Sequence, residues 1–475
     1  MRRTVCIALI ILAAFAVAIF PAGCGSGTHS ISMTAASVNV HVSDPATCGA
    51  PQGQFSHIFF TITDVLIHQS ASAAPNDAGW VDLTPNLKNA PMQVDMLAQA
   101  TNQCFLATLG SSGIQPGTYQ QIRVILADNS ATIAGNKCGS ATNCVMLTSD
   151  PSNTPHPLLL SSESKTGIKI PSGQLAGGQF MVAAGQVVDL NIDFNACASI
   201  VVQGNGQFRL KPVLHAGEVS LTSASISGTA LDSVTRQPIA GGNTVVALEQ
   251  KDSHNVDRVI METVAGANGS FVFCPVPAGM YDVVITAING AGTAYAATVI
   301  TGVQPGNSLG NVPLTAAALP ASLKGQITTS TGAAATSADI DLSALQPITV
   351  NSTTVMITTP LAQLPAATAT LATAPAVAPA TCPANTDCVS YTLAVPAANP
   401  SVGVFNTTGN QTPAPPPAGT VNYTMDALAS VPGSAGVADC TPANMQTSQT
   451  STSTPLTATP AIAVTAATLA FSGCQ

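Results

Sequence analysis

The sequence predicts an all-β protein built of tandem β-sandwich domains (Ig-like or transthyretin-like), and three observations carry that expectation. Apolar and polar residues alternate with period two in successive segments, Gly, Pro and Asn punctuate those segments at short intervals, and long helical periodicity is missing. In residues 36–43, Val38, Val40 and Val42 alternate with Ser37, Asn39 and His41, the pattern of a half-buried strand. Phe55 to His68 is a longer β-branched and aromatic run, and Tyr119 to Ala127 and Gln186 to Phe194 follow with turn residues between them. The best helical candidate, Met92 to Thr108, is at most two short helices. Pro116-Gly117-Thr118-Tyr119 and Pro277-Ala278-Gly279-Met280-Tyr281 repeat a turn-to-strand unit. Pro sets φ for such a turn and Gly permits positive φ, so the strand that follows starts in a fixed register.

At the N-terminus Arg2 and Arg3 precede an uncharged apolar run from Val5 to Phe20, then Pro21-Ala22-Gly23-Cys24. This reads as a signal peptide over residues 1–23. Its core is too short for a comfortable membrane span, which needs roughly 20 apolar residues. Ala22 and Gly23 directly before Cys24 resemble the bacterial lipobox, with Pro21 where Leu is usual. The resemblance implies cleavage before Cys24 and acylation of its thiol; an ordinary cleavage site beside a chance cysteine is the alternative. Acyl chains would hold the protein on a membrane, each buried methylene contributing about 0.8 kcal/mol. Gly25 stands where many lipoproteins retained at the inner membrane carry Asp, so the same resemblance implies an outer-membrane lipoprotein in the cell envelope. Residues 24–35 form a tether.

The cysteines point to the same oxidising compartment. Of 12, setting aside Cys6 in the apolar run and Cys24 leaves an even 10. Cys138 and Cys144, like Cys382 and Cys388, are separated by turn-forming residues and read as local loop staples. Zinc would need shorter spacings with a second pair or histidines nearby, so no metal is expected there. Cys48 with Cys104 and Cys440 with Cys474 are the further expected pairs. Cys197 and Cys274 are left for a cross-bridge or as free buried thiols.

Only 7% of residues are charged, against roughly 25% in an average soluble protein. A net charge of −9, with no basic stripe to neutralise phosphates, argues against a nucleic-acid partner. Aromatic residues are 4% of the chain with a single Trp80, which offers no obvious stacking platform for sugars or bases.

Two segments resemble known families. In 222–316, Ser225-Ile226-Ser227-Gly228-Thr229-Ala230, Pro238-Ile239, Asn268-Gly269-Ser270-Phe271-Val272-Phe273 and Pro277 to Tyr281 resemble the carboxypeptidase regulatory-like domain. That resemblance implies a transthyretin-like sandwich serving as a non-catalytic accessory module. In 36–221, Phe60-Thr61-Ile62-Thr63-Asp64-Val65, Gly79-Trp80-Val81-Asp82-Leu83, Pro116 to Arg123, Lys165 to Lys169, Leu190 to Phe194 and Leu210 to Val213 resemble the bacterial lipoprotein domain-of-unknown-function family 4382. This implies architecture and location but no chemistry. Residues 317–475 turn rich in Ala, Thr, Pro and Ser. Strand-like runs at Ala321 to Ile327, Cys388 to Val395 and Leu469 to Phe471 favour a third β domain with long loops, at 409–420 and 446–460, over a mucin-like stalk.

No nucleophile elbow, zinc-protease helix, phosphate loop or calcium EF-hand loop occurs, so no catalytic residue, enzyme activity or cofactor is expected. Asp189, Asn191, Asp193 and Asn195 fall on one face of a strand whose other face carries Leu190, Ile192 and Phe194. Their oxygens suit calcium, and a solvated outer face is the commoner cause of such a stripe. Asp64 shares strand parity with Ile58, Phe60, Ile62 and Leu66, which predicts a buried carboxylate beside a partner such as Arg123. His57 and His68 are expected to be exposed, and Trp80 to plug the edge of the core. The function these features favour is a membrane-anchored scaffold that binds or adheres to a protein or polysaccharide, carbohydrate binding being one form of it. A structural subunit of a surface appendage is the alternative, and a glycan-active enzyme comes third.

Overall fold

The computed structural model describes residues 35–44, 55–98, 106–161, 163–171, 175–196, 199–202, 206–212, 214–219, 225–252, 255–336, 338–362, 370–373, 382–433, 436–447 and 455–474. Cys24, Cys48, Cys104 and Cys197 lie outside the described residues, and with them the lipid anchor and the Cys48–Cys104 pairing. Among the described residues regular structure is β-strand apart from a 3-10 turn at Ala176–Gly178, and no helix is long and apolar enough to cross a membrane.

The first segment is a sandwich of two sheets. One sheet runs in the order Leu214–Val219, Val187–Phe194, Ala36–Ser43, Ala107–Ile114. The larger one is centred on Phe55–His68. The alternation in residues 36–43 does what period two requires: Val38, Val40 and Val42 are fully buried on the core side. Leu190, Ile192 and Phe194 join them, and the Phe194 ring meets Phe60 of the facing sheet at 4.4 Å between centroids. The helical expectation for Met92 to Thr108 fails. Met92–Asp95 pairs with Phe55–His68, placing Val94 opposite Phe60, and Ala107–Ile114 pairs with Ala36–Ser43. Runs this short do not let periodicity separate helix from strand.

The second segment packs a three-stranded sheet, Ser270–Phe273, Ile226–Asp232 and Ser308–Leu314, on the strands Asn243–Lys251, Val256–Val264, Tyr281–Ile288 and Ala294–Val303. Its core holds Ile226, Phe271, Phe273, Tyr281, Val283 and Leu309. The third segment adds a sheet in which Ala321–Thr329 lies between Asp387–Val395 and the strands Ala463–Thr465 and Leu469–Phe471. It faces Asp339–Val350 and Asn422–Gly433 over a core that includes Leu323, Ile327, Leu342, Tyr423 and Phe471.

The second and third segments share one sheet. Val256–Val264 pairs in parallel with Thr353–Thr358, and Ala294–Val303 with Ser401–Val404. Val284 and Val299 of the second segment pack against Ile348, Val355 and Ile357 of the third. Close backbone approach supports this join at Gly310, where φ is +59° and an added Cβ would fall 1.4 Å from the Gly409 carbonyl oxygen. The 409–420 loop is extended, with Ala414 N–H donating to Val402 O at 2.9 Å.

Cys138–Cys144 and Cys382–Cys388 close local loops, and Cys440–Cys474 ties Gly436–Thr447 to the chain just beyond Leu469–Phe471. Cys274 is also disulfide-bonded, to a cysteine outside the described residues, so the free-thiol alternative does not hold for it.

Both copies of the Pro/Gly turn-to-strand unit end in a tyrosine that reaches back four residues. Tyr119 Oη donates to Gln115 O at 2.8 Å, and Tyr281 Oη donates to Pro277 O at 2.9 Å. Tyr281 is the first residue of its core strand and Tyr119 the last of the short strand Gly117–Tyr119, and each hydroxyl pins its turn as the tyrosine corner of β-sandwiches does. Tyr281→Phe leaves that buried carbonyl unpaired and is expected to cost about 1–3 kcal/mol in urea unfolding. A loss under a few tenths of a kcal/mol would mean the hydroxyl does not hold the corner.

Candidate functional site

A buried polar surface lies on the outer face of the first sheet. Ala36–Ser43 and Val187–Phe194 run parallel in register, which sets Asn39 beside Asp189, His41 beside Asn191 and Ser43 beside Asp193. In a parallel ladder the partners of one pair share a face, so Val38, Val40 and Val42 inside require Asn39, His41 and Ser43 outside. The antiparallel neighbour Leu214–Val219 adds His215 opposite Asp193 and Gly217 opposite Asn191.

A solvated outer face for Asp189, Asn191, Asp193 and Asn195 is contradicted: all four are buried, Asn191 at 1% exposure and Asp193 at 4%. The cause is tertiary. The second segment lies over this face, with Ile260, Met261 and Pro277 closing a narrow cleft whose floor is Asn191, Asp193, His215 and Gly217. Ala278 N–H donates to Glu218 O at 3.1 Å beside it. The cleft has room for about one water molecule, far below what a metabolite needs.

Within the ladder most polar atoms find partners. Asn39 Nδ2 donates to Asp189 Oδ1 at 2.9 Å, and His41 Nε2 meets the same oxygen at 3.2 Å while its Nδ1 pairs with Thr108 Oγ1 at 3.0 Å. Ser43 Oγ donates to Asp193 Oδ1 at 2.9 Å and accepts from Asn191 Nδ2 at 2.8 Å. Asp189 is thus engaged by protein donors. Left over in the cleft are Asn191 Oδ1, Asp193 Oδ2 and His215 Nδ1, buried and without a protein partner.

Electrostatics follow from this burial. Loss of solvent raises the Asp193 carboxyl to about 7, against the pull of the Ser43 hydroxyl. Asp44, next along the chain, is pushed well above the usual carboxylate range by burial and by the charge of Asp193. Burial pulls His215 down to about 4, opposed by Asp341. Near neutrality the floor therefore carries one half-protonated acid, Asp193, and a neutral imidazole, His215, which suits packing against Ile260 and Met261. No group of three His, Cys, Asp or Glu side chains among the described residues is arranged to hold a metal ion.

The other singled-out residues go elsewhere. Asp64 is buried, but its partner is Lys88, at 3.2 Å from Oδ2, and not Arg123. Lys88 also holds Asp82 at 2.7 Å, and burial first, then the Asp82 carboxyl, raises Asp64 to about 6. A bulge between Ile62 and Asp64 shifts the strand's parity, so that Val65 and Ile67 turn inward and Leu66 does not. Arg123 instead donates to Thr166 O at 2.7 Å and lies 5.2 Å from the centre of the Trp80 ring. Trp80 Nε1 donates to Ala74 O at 2.9 Å, so the indole covers a buried guanidinium whose strand is paired on both sides. The histidines are half-buried and partnered, not exposed: His57 Nδ1 meets Asp95 Oδ2 at 2.7 Å, and His68 Nε2 meets Ala78 O at 3.0 Å. Sequence reasoning missed His41, His215 and Asp44; only the alternation of 36–43 placed His41 on a strand's outer face.

Residues 35–212 match the family model described as Domain of unknown function (DUF4382), which bears out the resemblance read over 36–221. No curated protein matches the chain. Among solved structures it is similar to the Bacillus anthracis TIE protein, at 8% identity over 92% of this chain and 51% of that one, with a TM-score of 0.16. The chain thus spans about half the length of that protein. A DUF3823 family protein from Bacteroides uniformis matches at 9% identity over 47% of this chain and 98% of its own, TM-score 0.16. The shaft pilin SpaA from Lactobacillus rhamnosus GG matches at 10% identity over 60% and 99%, TM-score 0.16.

Proposed function

We propose that the protein is an exported, non-catalytic scaffold of the cell envelope, held by a lipid on Cys24 at the outer membrane, whose β modules bind or adhere to a protein or polysaccharide. The observation that carries this reading is that every described cysteine is in a disulfide, a state that persists in oxidising compartments and is rare in reducing ones. The shared sheet between the second and third segments supports the scaffold part, because paired backbones resist reorientation better than a flexible linker does. The narrowness of the cleft under Pro277 agrees with recognition by an outer surface. Residues 222–316 would serve as a carboxypeptidase regulatory-like accessory module. Their two-sheet packing supports that assignment, as does the Asn268-Gly269 turn, where Ser270 N–H donates to Asn268 Oδ1 at 3.1 Å.

Intact mass spectrometry of the membrane-extracted protein, compared with Cys24→Ala, tests the anchor. The expected wild-type species begins at Cys24 and carries acyl mass, while the variant is unacylated and partitions into the soluble fraction. A soluble, unacylated wild-type protein that starts elsewhere would sink the reading.

A further inference from the structure

The 409–420 loop contains the run Thr412-Pro413-Ala414-Pro415-Pro416-Pro417-Ala418, which carries no charge. Every residue from Thr412 to Pro417 is a proline or precedes one. Proline fixes φ at roughly −65° and pushes the residue before it out of the helical region, so this run settles into a polyproline II strap. Its burial has the period that such a strap demands. Pro413 and Pro416 are half-buried, whereas Thr412, Ala414, Pro415, Pro417 and Ala418 are exposed. Polyproline II turns once in three residues, so one face points inward and two point to solvent.

Hydrogen bonds hold the strap along its length. Gln411, 2% exposed, donates its N–H to Asn311 O at 2.9 Å and its Nε2 to Leu309 O at 3.0 Å. Ala414 N–H donates to Val402 O at 2.9 Å, and Ala414 O accepts from Ser401 Oγ. Pro417 O accepts from Asn399 Nδ2 at 3.0 Å. Pro413 lies so near the strand that a Cβ added at Gly403 would fall 3.0 Å from its Cα. Among the described residues Ser401–Val404 is the outermost strand of the shared sheet, so the inward face of the strap covers an edge that would otherwise invite pairing. Covering that edge uses Pro413 and Pro416. It makes no use of Pro415 and Pro417 on the solvent side.

We propose that the outward faces of this strap, led by Pro415 and Pro417, are a preformed ligand for a partner protein whose groove is lined by aromatic side chains. The inference rests on the scaffold reading above only in taking the partner to be a protein. Aromatic rings pack between proline rings, and a polyproline II strand has little conformational entropy to lose on docking. The saving exceeds that of a free peptide, because the bonds at Gln411, Ala414 and Pro417 already fix the backbone. With no charge on the strap, the groove needs no acidic pocket beside its aromatic rings.

The probe is an isolated WW domain, chosen because it binds the free peptide of residues 412–418, and titrated by NMR against that peptide and against the folded full chain. The folded chain is expected to bind at least as tightly as the peptide, by up to about tenfold. Pro415→Ala/Pro417→Ala should weaken binding to the folded chain by at least about tenfold. Both rings are exposed, so the melting temperature and the exchange protection of the Ala414 amide should stay at their wild-type values. Binding weaker than the peptide's, or none, would show that the strap only covers the sheet edge and overturns the proposal. Wild-type affinity in the double variant overturns it as well. Either failure leaves the envelope anchor standing, because that is read separately from the acyl mass on Cys24.

Discussion

Asp426→Ala is expected to lower the unfolding free energy by about 3–5 kcal/mol, the usual consequence of leaving one member of a buried ion pair alone. Asp426 is 1% exposed in the strand Asn422–Gly433. Its Oδ2 takes a guanidinium N–H of Arg258, from the second segment, and its Oδ1 accepts from Gln446 Nε2 at 2.8 Å. Removing it strands the Arg258 charge with only Asp252, 3.1 Å from Nε. Asp426→Asn keeps the volume and the Gln446 contact while deleting the charge, and should fall between alanine and wild type. Guanidinium denaturation followed by circular dichroism measures both, and the midpoint should move without a change of slope. Because desolvation opposes the pair's attraction, the double variant Arg258→Met/Asp426→Leu should recover most of the loss. An alanine variant within about 1 kcal/mol of wild type would place this pair with surface ion pairs of little consequence.

Opening the Cys440–Cys474 bond with a double serine variant should cost about 3–4 kcal/mol, from the chain entropy that a loop of this length regains when unfolded. Both sulfurs are buried in the third core beside Phe471 and Leu469, so the substitution also places two hydroxyls among apolar groups. The strand Leu469–Phe471 should fray first, visible as lost amide protection at Ser330, whose N–H donates to Phe471 O at 2.9 Å. Cleavage of Cys138–Cys144, which closes a much shorter loop, is the internal comparison and should cost less. Equal losses in the two variants would show that the long loop is already restrained in the unfolded chain.

Strand existence was legible because it depends on local alternation. Residues 36–43 and Phe55–His68 appear with the limits their patterns imply, and Cys388 to Val395 and Leu469 to Phe471 emerge as neighbours on either side of Ala321–Thr329. Three things were not local. The partner of Asp64 depended on a bulge, which inserts a residue without any mark in the apolar pattern. The burial of Asn191 and Asp193 depended on Ile260, Met261 and Pro277, distant in sequence and apolar for their own reasons. Alternation shows that a strand has two unlike faces, but a polar face reads the same under water or under another module. The shared sheet was hidden similarly, since an edge strand that takes a neighbour from the next segment keeps an ordinary composition.

The strand Ala321–Thr329 lies against Leu469–Phe471 in parallel, Ile327 opposite Leu469, and Cys474 N–H donates to Ser330 O at 2.9 Å. A chain delivered N-terminus first across a membrane therefore releases this central strand long before the segment that completes its sheet. During that interval Leu323 and Ile327, both fully buried at the end, have one flank without its final neighbour. Closing so distant a pair is slow compared with local hairpins, and an unpaired edge is a template for wrong pairing. Under the export proposed above, the late arrival of Leu469–Phe471 is the step at which a chaperone in the receiving compartment has most to protect.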